Sequence, residues 1–232
     1  MRRHPSVPPR GASREIRPGL GACRRRRPGI SVTAVPRRPN MTLAVKRLVR
    51  DVAARMPEFA HVRPSRILVV AGEARRSSRA TIRPARFREG RGGPPAGVRV
   101  RGRTMLYVVT LRPRWFLDST PAQRIATVLH ELYHASGRFD GTLHRGRVHA
   151  RLPRARYDRR IRALRDRYLA VAPPDVVAPF AHRGEVRVRM WLERPGGRSR
   201  PGAPAGRRVY TERQLFLGLM PMRPPPARAG GR

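Results

Sequence analysis

The chain has 232 residues, a length that suits one domain, or one domain with tails. Its 53 basic side chains stand against 14 acids for a formal net charge of +39, and Lys46 is the only lysine among them. The single cysteine, Cys23, excludes an internal disulfide framework and a cysteine-rich zinc site, and no apolar run reaches the ~18 residues of a membrane span.

Such a charge points to a polyanion, and non-specific nucleic-acid contact through an Arg-rich surface is one expectation. Arginine almost without lysine is also what a G- and C-rich coding sequence produces, and phosphate contact alone gives no reason to avoid lysine. No apolar h-region precedes residue 40, so the chain reads as cytoplasmic, with no membrane partner.

Residues 1–40 carry eleven arginines, one acid (Glu15) and seven prolines, without apolar periodicity. They read as a disordered Arg/Pro-rich extension, a targeting peptide, or a start assigned upstream of the true one. The regular pattern that begins at Met41 favours the last. Residues 41–172 read as the folded domain. Leu43, Leu48, Val49, Val52 and Met56 predict a helix over 42–56, and the apolar run from Ile67 to Val70 predicts a buried strand. Residues 89–97 read as a loop, Val98 and Val100 alternate with arginines, and Met105 to Leu111 is the strongest strand signal.

Thr120-Pro121-Ala122-Gln123 combines a Thr N-cap, Pro at the first helical position and Gln at the third. It opens a helix predicted over 121–135, with Ile125, Val128, Leu129 and Leu132 as its apolar stripe and Gly137 as its stop. A further helix over 154–170 sets Tyr157, Ile161, Leu164, Tyr168 and Leu169 on one face and arginines on the other. Residues 173–220 read as a C-terminal β-hairpin extension, with strands over 185–193 and Val209 to Leu217. Residues 221–232 read as a disordered tail.

Within the capped helix stands His130-Glu131-Leu132-Tyr133-His134, an HExxH. Positions i and i+4 share a helix face, so both imidazoles can meet one Zn2+, while Glu131 is offset from both and available as general base. About 0.007 such motifs are expected by chance at this composition, and the capped helix with a strand before it supplies further context. The alternative is a pair of surface histidines. A catalytic zinc usually takes a third protein ligand, for which Asp140, His144 and His149 are the candidates after the helix. Asp140 also fits a second role, accepting the outer N–H of a zinc-bound histidine, or forms a plain Asp-Gly turn. Tyr157 reads as core, with a hydroxyl near zinc as the alternative.

The stretch from Met105 to Ala170 resembles the phage-type metallopeptidase family. The matching residues are HELYH at 130–134, Phe139-Asp140-Gly141-Thr142-Leu143, His149, and Arg156-Tyr157-Asp158. More distantly the plan is similar to SprT-like zinc proteases. The resemblance implies zinc ligands at His130, His134 and His149, the base at Glu131, and a protein or peptide substrate. The expected fold class is α+β. It is a small zincin-like domain with a short mixed sheet packed against the HExxH helix and a C-terminal helix, followed by a β-hairpin. The leading functional expectation is a zinc metallopeptidase. The rival is a basic nucleic-acid-binding protein with a structural or vestigial metal site, its arginines between 151 and 167 facing phosphate.

Overall fold

The structure, a computed structural model, describes residues 38–72, 78–87, 95–147, 153–193, 195 and 209–223. The first half holds α1 (Met41–Arg55), β1 (Ile67–Ala71), β2 (Ala80–Pro84), β3 (Arg86–Phe87), β4 (Ala96–Val100), β5 (Arg103–Thr104) and β6 (Tyr107–Leu111). There follow α2 (Pro113–Leu117), α3 (Pro121–Tyr133), α4 (Arg154–Leu169), α5 (Pro174–Val177), β7 (Gly184–Trp191), β8 (Val209–Tyr210) and β9 (Leu215–Met222). The α+β class is as expected. Residues 1–37 lie outside the described residues, as do 89–94 of the expected loop over 89–97 and 224–232 of the expected tail over 221–232; the rest of that loop runs into β4 from Ala96, and Pro221 and Met222 belong to β9 rather than to a tail.

The main sheet has the order β2-β6-β1-β7-β9. β1 runs parallel to β6, from Ile67 opposite Tyr107 to Ala71 opposite Leu111, while β2 is antiparallel to β6. On the other flank β7 is parallel to β1, and β9 is antiparallel to β7. A second, smaller sheet joins β3, β4, β5 and β8. The main sheet is therefore covered twice. Ile67, Val69, Tyr107 and Val109 share a cluster with the buried residues of α1, α3 and α4, whereas Leu68, Val70 and Val108 pack with Val98, Val100 and Tyr210 of the second sheet. Burial on both faces explains why β1 and β6 read as continuous apolar runs rather than alternating ones.

Helix α1 begins where Asn40 accepts the Leu43 N–H at 3.2 Å. Its buried stripe is Met41, Ala44, Val45, Leu48, Val49 and Val52, whereas Leu43, which the periodicity would put in that stripe, is 57% exposed. The first turn of α1 meets the sheet between β1 and β7. Thr42 Oγ1 donates to Val69 O at 3.4 Å and accepts the Arg189 N–H at 2.9 Å. That accounts for β1 and β7 sharing only the pair Ala71 and Met190.

Of the C-terminal strands, β7 and β9 belong to this same sheet and β8 to the second. The strand expected from Val209 to Leu217 is divided: Val209 and Tyr210 run parallel to β4, a capped turn over Glu212–Gln214 follows, and β9 starts at Leu215. Thr211 and Gln214 form that cap, which halts the extended backbone and turns it toward β7.

Helix α4 packs against α3 and is tied to α1 by a hydrogen bond and to the turn after α1 by ion pairs. The Tyr168 hydroxyl donates to Asp51 at 2.9 Å, Arg160 and Arg167 both pair with Glu58, and Arg165 pairs with Asp166. Several arginines of the face expected to meet phosphate are thus engaged within the protein. Arg124 of α3 is 1% exposed and donates to four backbone carbonyls. Trp115 O and Phe116 O lie at 3.2 and 2.9 Å, and Phe180 O and Arg223 O both at 2.6 Å. The helix that carries the motif is anchored through this one guanidinium to α2, to the turn after α5 and to the end of β9.

Candidate metal centre

The capping box is formed as expected. Gln123 N donates to Thr120 Oγ1 at 3.2 Å and Thr120 N donates to Gln123 Oε1 at 2.9 Å, with Pro121 at the first helical position. The helix ends at Tyr133 with His134 as its C-cap, earlier than the predicted 135, and Gly137 lies in the turn beyond. Ile125, Val128, Leu129 and Leu132 bury the inner face, and this sets the rotation of the helix and hence the direction of its histidines.

His130 and His134 are half-buried and their Nε2 atoms are 3.2 Å apart. An ion ~2.0–2.1 Å from each would see them at about 100–106°, close to the ~109° of a tetrahedral site. The pair therefore fits a zinc ion. His134 Nδ1–H donates to Arg147 O at 2.7 Å. A carbonyl can only accept, so Nδ1 carries the ring proton and Nε2 holds the lone pair that a metal needs.

The segment that brings Arg147 into place is a folded loop. His144 N donates to His134 O at 2.8 Å, Ser136 N to Thr142 O at 3.1 Å, and Ala135 and Leu143 form a β-bridge. The Tyr107 hydroxyl donates to Thr142 O at 2.6 Å and accepts the Gly141 N–H at 3.2 Å. Phe139 adopts a left-handed φ of 51° and Gly141 one of 91°. The strain at Phe139, on the order of 1 kcal/mol, accompanies a buried ring 4.8 Å from that of Tyr107. The Arg147 guanidinium lies 4.2 Å above the Tyr133 ring and donates to Tyr133 O at 3.3 Å, fixing the far end of the loop to α3.

Asp140 is exposed, and its Oδ1 accepts from Thr142 Oγ1 and Ser136 Oγ at 2.7 Å and from Thr142 N at 3.0 Å. Those donors hold its carboxyl well below the usual range. Asp140 thus orders the turn, and the outer N–H of His134 goes to Arg147 O. His144 accepts the Gly146 N–H at its Nδ1, 3.1 Å away. Among the described residues no group of three His, Cys, Asp or Glu side chains is placed to hold one ion. His149, the expected third ligand, lies outside the described residues.

Glu131 is buried, and its Oε2 accepts the Ile82 N–H of β2 at 2.7 Å. Burial pushes its pKa up to about 7, with the Ile82 bond and the Arg112 charge pulling the other way. Residues 80–84 gave no strand signal in the sequence, being short and ending in Pro84, yet β2 is the strand next to the motif helix. Tyr157, expected in the core, reaches the two histidines from α4. Its hydroxyl is 3.3 Å from His134 Nε2, its ring stacks on His134 at 5.6 Å and crosses His130 at 4.9 Å. Burial and the Glu131 charge hold that hydroxyl above its ordinary pKa. Helical periodicity identifies Tyr157 as inward-facing but carries no signal for which part of the interior it meets.

Among the described residues no helix is long and apolar enough to cross a membrane. No curated protein and no solved structure matches the chain. One family model does match, and it spans α1, both sheets' early strands, the HExxH helix and the loop after it, stopping at the first residue of α4. Over residues 41–154, just under half of its length, the chain matches the model of the family described as "Putative phage metallopeptidase".

Proposed function

We propose that the protein is a zinc-dependent peptidase in which His130, His134 and His149 hold Zn2+ and Glu131 moves the proton. The observation that carries this is the convergence of two Nε2 atoms 3.2 Å apart, that of His134 left with its lone pair because Arg147 O holds the ring proton on Nδ1. The third ligand rests on chain continuity. Arg147 bonds to His134 two residues before His149, and α4 returns to the pair at Tyr157 soon after.

Zinc, when bound, polarises a carbonyl and lowers the pKa of a coordinated water. The Glu131 carboxylate takes the proton of the attacking water and delivers it to the leaving amine nitrogen. Burial of Glu131 excludes bulk water from that transfer. An extended peptide has a template beside it. Arg79 O accepts from Arg112 N and Ala85 N donates to Leu106 O on the β6 side, so Ala80 turns both backbone groups, and Ile82 and Pro84 their carbonyls, to the other edge of β2, where the Ile82 N–H is held by Glu131. A substrate strand adds there by main-chain hydrogen bonding.

The test is zinc per full-length chain by elemental analysis, with peptide-library hydrolysis alongside. One zinc is expected in wild type and in His144→Ala, loosened in His130→Ala and His149→Ala. Glu131→Gln should keep zinc and lose hydrolysis. A wild-type protein that binds no zinc, or a Glu131→Gln variant that still cleaves, overturns the reading.

A further inference from the structure

Two tyrosines of α4 face inward, and their hydroxyls do different things. Tyr168 donates to Asp51 and ties α4 to α1. Tyr157 instead sends its hydroxyl to His134 Nε2, 3.3 Å away. Because Nδ1–H of that ring is committed to Arg147 O, Nε2 of the neutral ring is an acceptor, shared between the Tyr157 O–H and the His130 Nε2 3.2 Å away. A cation at Nε2 takes the same lone pair, so metal binding and this hydrogen bond exclude each other.

The tyrosine has little room to retreat when that happens. Its ring is 2% exposed, stacked on His134, set at 69° against His130 and packed at 5.8 Å from Tyr133. The 3.3 Å from hydroxyl to His134 Nε2 nearly equals the 3.2 Å between the two histidine nitrogens. The hydroxyl oxygen therefore stays next to the position where ligands other than histidine approach the ion, within reach of an oxygen there.

Accepting the metal reading proposed above, we infer that Tyr157 is a further catalytic residue. Its hydroxyl donates a hydrogen bond to the scissile carbonyl oxygen of the substrate, and the bond strengthens as negative charge develops on that oxygen. Phenylalanine would fill the same volume and make the same ring contacts, so the packing alone does not require the hydroxyl.

The test uses full-length, zinc-loaded protein, the variants Tyr157→Phe and Tyr168→Phe, and acetohydroxamate as an anionic oxygen probe. Thermal unfolding checks that each variant folds. Zinc per chain should be unchanged in Tyr157→Phe. Its dissociation constant for acetohydroxamate should rise about ten-fold or more, as for loss of a hydrogen bond to a charged group. On a cleaved peptide kcat should fall while KM changes little. Tyr168→Phe should leave the hydroxamate constant at the wild-type value. An affinity in Tyr157→Phe within two-fold of wild type overturns the inference. Loss of zinc in Tyr157→Phe also overturns it, by making the side chain a ligand, and leaves the metal reading standing. A wild-type chain that holds no zinc removes both.

Discussion

Replacing Glu131 by glutamine separates what the site costs the fold from the chemistry it performs. In the metal-free protein burial raises this carboxyl from its ordinary 4.5 to about 7. Between those values the native state binds more protons than the unfolded chain, so stability falls as pH rises from about 4.5 to about 7 and stays reduced above. At ~1.4 kcal/mol per unit the full cost is about 3 kcal/mol. Glutamine carries no charge, and its amide oxygen still accepts the Ile82 N–H. Metal-free Glu131→Gln should therefore be about 2–3 kcal/mol more stable than wild type at pH 8, a rise in Tm of roughly 4–12 °C for a domain of this size. At pH 4.5 the two should agree within about 0.5 kcal/mol. The assay is urea unfolding of chelator-treated full-length protein at both pH values, followed by the fluorescence of buried Trp115. A variant no more stable than wild type at pH 8, or a difference independent of pH, would refute the reasoning. Stability gained where hydrolysis is lost marks a side chain kept for its chemistry.

Three more substitutions probe the surroundings. Ile82 turns its N–H away from β6, where proline is tolerated in an edge strand, so Ile82→Pro removes the donor to Glu131 without breaking a ladder bond. The metal-free stability drop between pH 4.5 and 8 should deepen by about 1–3 kcal/mol, while lost side-chain packing cancels between the two pH values; an unchanged drop counts against the bond. Tyr107→Phe cuts the two hydrogen bonds that its hydroxyl makes to Gly141 and Thr142. It should cost about 1–2 kcal/mol and weaken zinc roughly ten-fold in a chelator competition, and unaltered zinc affinity would mean that the loop does not position His134. Arg124→Met strips four carbonyls of their donor. A loss of about 3–5 kcal/mol is expected in thermal unfolding, and a loss below about 1 kcal/mol would show that water replaces the guanidinium.

The proposed peptidase places its chemistry at the junction of three separately stabilised parts. The motif helix is held by a capping box and by Arg124, the loop to Arg147 by Tyr107, and α4 by Asp51 and Glu58. Loosening any one should disturb the histidine pair without touching it. This is the structural basis for expecting metal affinity to respond to residues that are not ligands.

The amino-acid sequence by itself determined the motif helix almost to the residue. Its cap, proline, apolar stripe and the i, i+4 pair are all relations within a few residues, and helix geometry converts them directly into positions. The apolar runs of β1 and β6 likewise announced strands, the first of them buried. What the tertiary structure alone decided were the relations between distant backbone groups. Glu131 finds its donor 49 residues away at Ile82, and His134 finds its acceptor 13 residues on at Arg147. Neither partner has a side-chain signature, because every residue carries the same N–H and C=O. Periodicity turned Tyr157 inward without saying that it would meet two histidines, and it counted Leu43 as buried where the helix leaves it exposed. The division of the segment after Val209 between two sheets was equally hidden. Local pattern encodes which face of an element is apolar, and only the packed chain decides which neighbour that face receives.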